Sequence, residues 1–207
     1  MPGEDGNVGS VGSAASAENP EQVDGRRLRG ERNRLGIVDA FLDLVSEGSI
    51  RPTVEEIAAR AEVSERSVFR HFPDVAALVE AAMNRWIEQI TPDAAVHASP
   101  DDPLPVRIAA LVEARSRLYE EIAPLRRVTM IERASNPSID SMMREGGEFL
   151  RVQAEELLAS EKLDPLTKDA LDALLSWSLW NVLRVDQGQS LERSRAALGL
   201  LIDKLLA

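Results

Sequence analysis

Apolar residues recur along most of this chain at the spacing of a helix, and no stretch alternates as a strand would. Leu35, Val38, Leu42 and Val45, widened by Phe41, predict a first helix from about Arg26 or Gly30 to Glu47, ended by Gly48. Pro52 holds Arg51 out of helical geometry and clears a new start at Thr53. Two short helices follow within Thr53–Phe72, and Pro73-Asp74 breaks the second of them. A fourth helix is predicted over Val75–Ile90. Thr91 to Pro105, with its prolines and aspartates, reads as a loop. Beyond it the pattern predicts helices at about 105–122, 125–134, 138–159, 166–186 and 191–206, punctuated by Pro124, Asn136-Pro137, Asp164-Pro165 and Gly188.

The Thr53–Phe72 stretch carries the densest local signals. Thr53 with Glu56 makes a capping box. Val54, Ile57, Ala58 and Ala61 form one apolar stripe. Ser64 caps the next helix, whose Val68 and Phe72 share a face, and Val63 plugs the turn. With the first helix these residues predict a small three-helix core of Leu35, Val38, Leu42, Ile57, Val63, Val68 and Phe72. The outward face of the second short helix holds Arg66, Ser67, Arg70 and His71. An apolar inner face and a cationic, hydrogen-bonding outer face suit a helix that lies in a DNA major groove. Arg66 and Arg70 stand one turn apart, and either could pair bidentately with a guanine. His71 and the helix end capped by Thr53 are placed for phosphates.

The run EEIAARAEVSERSVFRHFPDVAALVEA, within about Arg34 to Ala82, resembles the DNA-binding domain of tetracycline-repressor-type (TetR/AcrR-like) transcriptional regulators. The resemblance implies an all-α protein with a three-helix, helix-turn-helix DNA-binding head and a larger helical body for ligand binding and dimerisation. It implies DNA contacts at Ser64, Arg66, Ser67, Phe69, Arg70 and His71, and Thr53 joins them as a phosphate contact. Three positions depart from the family pattern: Phe69 for tyrosine, Glu62 for glycine in the turn, and Asp74-Val75 where many members carry a lysine. Each weakens phosphate contact, and Glu62 tolerates a left-handed backbone poorly.

Charge changes this picture only by its distribution. The net charge of −11 argues against nucleic acid as a partner, yet residues 1–24 alone hold −5 and Gly25–Gly36 holds +4 through Arg26, Arg27, Arg29, Arg32 and Arg34. The end that meets DNA is locally basic. The limits expected are a disordered acidic tail over 1–25, the DNA-binding domain over 26–90, a linker over 91–105 and the body over 106–207. No cysteine is present, so disulfides and thiolate chemistry are excluded. No signal peptide or membrane span is legible, and a cytoplasmic location is expected.

Two segments of the body stand out. Leu171, Leu174, Leu175, Trp177, Leu179, Trp180, Val182, Leu183 and Val185 nearly encircle one predicted helix; Leu191, Leu198, Leu200, Leu201, Ile202 and Leu205 crowd the next. These faces predict a homodimer joined through a four-helix interface that includes Leu175, Leu179, Val182, Leu198, Leu201 and Leu205. The resemblance further implies a pocket for a small-molecule effector. Its candidate lining is Trp86, Tyr119, Met130, Met142, Phe149 and Trp177, with Met143 and Trp180 beside them. Arg115, Arg126 and Arg184 could meet an acidic ligand, but nothing in the sequence separates them from solvated arginines. No cofactor, metal-ligand spacing, phosphate-binding glycine loop or nucleophile constellation is present, so no enzyme is expected. The rival reading is a helical dimer that senses a ligand or binds a protein without touching DNA.

Overall fold

The computed structural model describes residues 20–90 and 94–207. The described residues form helices joined by turns, with no strand among them. The helices are α1 (Pro20–Ser46), α2 (Val54–Arg60), α3 (Glu65–His71), α4 (Val75–Ile90), α5 (Leu104–Glu132), α6 (Pro137–Leu157), α7 (Pro165–Leu174), α8 (Trp177–Asn181) and α9 (Leu191–Leu206).

The start of α1 corrects one expectation. Pro20 to Asp24 is helical rather than disordered, and the basic stretch from Gly25 is part of the same helix; the rest of the acidic tail, 1–19, lies outside the described residues. A second correction concerns which face of α1 is buried. Ile37, Val38, Ala40, Phe41 and Val45 form it, while Leu35 is 42% exposed and Leu42 half-buried. At 3.6 residues per turn Leu35 stands about 120° around the helix from Phe41. A stripe centred on the bulky Ile37 and Phe41 leaves Leu35 on its shoulder. Gly48, at φ 107°, ends the helix, and Ser49 donates back to the Leu44 carbonyl at 3.0 Å.

The head closes as α1 to α4 pack around Ile57, Ala58, Val68, Phe72, Leu78, Val79 and Ala82. Its core does not stop at the linker. Leu125 and Val128 of α5, with Ile139 and Met143 of α6, belong to the same apolar cluster. Across this seam the Asn136 amide donates to Glu80 Oε1 at 3.0 Å. The head is therefore seated on the body, not hung from it.

The body departs from the predicted helix breaks in two places. Pro124 lies inside one continuous α5 instead of ending a helix. Its missing N–H and ring clash cost about 3 kcal/mol in a helix interior. The buried Ile122, Leu125 and Val128 on either side hold the helix together across it. Gly146 and Gly147 sit within α6, which runs unbroken over Pro137–Leu157 against a helix expected over 138–159. Conversely, the single helix predicted over 166–186 is broken: α7 stops at Leu174, and the Ser176 hydroxyl accepts from the Leu179 amide to start α8. A π-helical turn over Val182–Asp186 follows, and Gly188 turns the chain at φ 60°.

The break turns Leu175, Trp177 and Trp180 all into the body core, which Leu198 and Ile202 of α9 complete. Leu175 and Leu198 are only 5% and 2% exposed within one chain, so they have no surface to give a partner. That corrects two of the six predicted interface positions. Leu179 and Leu205 are partly buried against the same core, while Val182 and Leu201 remain exposed. Val185 and Leu200 are exposed as well.

Candidate functional site

Two sites share the molecule. The first is the outer face of α3. Its placement follows from local chemistry at both neighbouring helix starts. Thr53 Oγ1 accepts from the Glu56 amide at 3.2 Å, and Glu56 Oε2 accepts from the Thr53 amide at 2.8 Å. Ser64 Oγ accepts from the Ser67 amide at 3.2 Å. Between the helices Glu62 takes φ 54°, the left-handed conformation for which glycine is suited. The turn is thus built, with strain, on a residue that also brings a negative charge.

With Val68 and Phe72 buried beneath it, α3 presents Arg66, Phe69 and Arg70 outward. Phe69 is 52% exposed, an aromatic ring held in water. Ser67 is half-buried and shares its hydroxyl with Ser64, at 3.2 Å. His71 is less open than its position suggested. Its Nε2 is buried without a partner, and burial, with Arg70 and Arg34 nearby, lowers its pKa below the ordinary 6.5. That shift favours the neutral imidazole at pH 7, which meets a phosphate as an N–H donor rather than as a standing cation. Arg34 of α1 adds a contact the sequence pattern did not reveal: its guanidinium lies 4.9 Å from the centre of the Phe72 ring. That stacking fixes a cation beside the end of α3.

The second site is a cavity of about 1150 Å³ in the body, walled by α4, α5, α6, α7 and the start of α8. Of the predicted lining, Trp86, Tyr119, Met142, Phe149 and Trp177 border it, with Met143. Met130 does not: it is 42% exposed on the outer face of α5. Trp180 is also outside it, buried with its indole N–H donated to Glu120 at 2.9 Å. Inside, Tyr119 donates its hydroxyl to the Leu175 carbonyl at 2.6 Å and stands edge-on to Trp177 with ring centres 5.8 Å apart. Burial pushes its pKa up to about 12, so it stays a neutral donor. Arg115 and Arg126 line the cavity, whereas Arg184 is outside and paired with Glu120 at 2.8 Å.

Sequence reasoning missed much of the wall, including Leu118, Ile122 and Leu171. Ordinary leucines and isoleucines carry no mark that tells a cavity wall from a filled core. Three buried residues belong to both regions, since Met83, Leu125 and Met143 border the cavity and also form part of the head core; the partly buried Trp86 and Met142 line the cavity and pack against the same core. The described residues hold no cluster of acids and histidines able to bind a metal ion, and no helix long and apolar enough to cross a membrane.

Comparison with known proteins agrees with this architecture. Residues 37–82 match the sequence model of the bacterial regulatory proteins, tetR family. No curated protein matches the chain in sequence. Among solved structures, a TetR-family transcriptional regulator from Streptomyces coelicolor aligns with a TM-score of 0.60 at 19% identity, over 84% of this chain and 79% of that one. A TetR-family regulator from Mesorhizobium loti aligns at 0.62 and 20% identity, over 86% and 96%. The multidrug binding protein EbrR, solved with imidazole, aligns at 0.57 and 23% identity, over 89% and 91%. Residues 37–82 thus match the tetR-family sequence model, and the described chain as a whole takes the fold of those helix-turn-helix regulators.

Proposed function

We propose that this chain is a homodimeric repressor that binds a palindromic operator and leaves it when a small molecule fills the body cavity. DNA contact is assigned to Arg66, Ser67, Phe69 and Arg70, with His71 and the helix ends capped by Thr53 and Ser64 at the phosphates. The head is assigned to residues 26–90 and the effector and dimerisation body to 106–207, working in the cytoplasm. Two α3 helices would then sit in successive major grooves, about 34–36 Å apart.

The observation that carries the ligand-responsive part is the shared wall. Met83, Leu125 and Met143 touch both the cavity and the head core, so a ligand that repacks one side must move the other. A conformation with the wrong head spacing would be favoured by as much as the ligand prefers it. Dimer contact is assigned to the exposed Val182 and Leu201, beside Leu179 and Leu205 and extended by Val185 and Leu200.

The test is a gel-shift titration on DNA flanking the gene, at several salt concentrations, with Arg66→Ala/Arg70→Ala alongside. Specific retardation that the double variant loses supports the repressor reading. Equal retardation of every fragment reduces it to electrostatic binding. No retardation on any fragment, by a protein that sediments as a folded dimer, moves the reading to a sensor that does not touch DNA.

A further inference from the structure

The arginines that α5 turns inward are not alike. Arg107 is fully answered: it donates to the carbonyls of Asp102 and Leu157 at 2.8 and 3.1 Å, to the Ser160 hydroxyl at 3.0 Å, and pairs with Glu161. Arg115, 1% exposed, spends one nitrogen on Gln153 Oε1 at 2.8 Å and another on the Leu150 carbonyl at 2.6 Å, and its Nε is buried with no partner. Arg126 goes further. Its Nε is buried with no partner, and among the described residues its side chain makes no hydrogen bond or ion pair. Both Arg115 and Arg126 face the cavity.

Glu145, Glu148, Glu155, Glu156 and Asp172 line the cavity, and none of them bonds Arg126; Glu145 and Glu156 are exposed, and Glu145 accepts from the Ser141 hydroxyl at 2.9 Å. Glu148 is held by Arg151 at 2.8 Å, and Glu155 lies between Arg151 and Lys168 at 3.8 and 3.9 Å. Asp172 is close enough for its charge to act on Arg115, but the charged neighbour that acts on Arg126 is another cation, Arg133, already bonded to Asp140. Arg126 is half-buried, with its Nε out of water, and it lacks the counter-charge that proteins normally supply to a cation drawn even partly out of water. Much of the wall is apolar, including Ile122 and Leu125 on the same helix, Trp86 of α4 and Met142 of α6; Thr129, one turn on, spends its hydroxyl on the Arg126 carbonyl at 3.0 Å.

We propose that the cavity binds an amphipathic organic anion, its carboxylate seated on Arg126 and its apolar body lying along α5 past Ile122 and Tyr119 toward Arg115. A guanidinium with free donors matches a carboxylate bidentately, and desolvation strengthens that pairing. Tyr119 and Arg126 are seven residues apart, about 10 Å along the helix, so the site asks for an extended apolar tail rather than a compact acid. The inference rests on the cavity being the effector site, and it adds the chemistry of the effector.

The experiment is a titration followed by the fluorescence of Trp86 and Trp177, which border the cavity, with no DNA present. The probes are dodecanoate, dodecanol and dodecyltrimethylammonium, each below its micelle concentration. Dodecanoate is expected to bind at least about tenfold more tightly than either control, because a charge-assisted bond is stronger than a neutral one. Arg126→Met, which keeps the stem and removes the charge, is expected to erase that preference, and Arg126→Lys to keep part of it. Should the methionine variant fail to melt cooperatively, Arg126→Gln takes its place. Equal affinity for the three probes, tighter binding of the ammonium, no saturable binding of dodecanoate, or a carboxylate preference that survives loss of the charge would each overturn the proposal. Saturable dodecanoate binding that leaves the gel shift unchanged would keep the anion site and sink the release mechanism instead.

Discussion

Thr53, Glu56 and Ser64 in the head each find a partner within three residues, while Arg115 and Arg126 in the body keep buried nitrogens with none. The apolar groups divide in the same way. The head core is filled by Ile37, Phe41, Ile57, Leu78 and Val79, all at 1% exposure or less, whereas the body encloses about 1150 Å³ of open space. The head is close-packed, which suits a surface that must meet DNA in a single geometry, although it borrows Leu125, Val128, Ile139 and Met143 from the body and leaves His71 Nε2 without a partner. Met83, Leu125 and Met143 join the two, so the unfilled region borders the filled one through shared side chains.

A matched pair of truncations tests that contrast most severely. Leu78→Ala removes a side chain packed on every side in the head, and Leu118→Ala removes one that borders the cavity. Filled-core Leu→Ala changes cost about 3–5 kcal/mol, through lost transfer energy and a new void. A side chain already facing empty space has fewer contacts to lose, so Leu118→Ala is expected to cost about 2 kcal/mol. Urea denaturation of both variants at one protein concentration reads the difference. Equal losses would mean that the cavity closes up in solution.

A smaller effect sharpens the account of the head. Glu62 holds a left-handed turn at φ 54°, so Glu62→Gly is expected to raise stability by about 1 kcal/mol or less, since the relieved strain is partly offset by a freer unfolded chain. It also removes a negative charge from the reading end, so tighter DNA binding at low salt should accompany it. A glycine variant that is less stable would show that Glu62 makes a compensating contact.

The smallest expected effect is on pH. The folded-state pKa of His71 lies below its ordinary 6.5, so the unfolded chain takes up the proton first. The contribution of His71 to stability is therefore present above pH 6.5 and falls as pH drops through that value. His71→Gln should flatten the dependence of the denaturation midpoint between pH 7 and 5.5. If a phosphate does engage His71, the reverse linkage appears on DNA: affinity rises as pH falls, and the same variant removes that slope.

Helices whose ends are set by local chemistry were legible, because a cap is a contact between near neighbours in the chain. Thr53 with Glu56, Ser64, and Gly48 marked their own positions. Pro124 misled because its cost is local while its compensation is tertiary: Ile122, Leu125 and Val128 are buried by helices distant in sequence. The break at Ser176 was hidden for the opposite reason, since an apolar run at helical spacing masked the one serine that redirects it. Leu35 carried the right spacing, but spacing cannot say which edge of a wide stripe the neighbours will cover. Met130 and Phe149 looked equivalent as candidate lining, and only the rotation of α5 and α6 separated them.

Spacing and near-neighbour bonds along the chain were enough for the all-α class, the capped helix pair with Arg66 and Arg70 on its free face, and the tetR-family resemblance that this pair carries. Those properties follow from periodicity and from bonds between residues three or four apart. Only the tertiary structure decided that Leu175 and Leu198 belong inside the subunit, that the head core borrows Ile139 and Met143 from the body, and that Arg126 is an unanswered cation and Arg107 an answered one. Burial and partnership are properties of where helices distant in sequence come to rest. No count of charges or spacings along a single helix contains them.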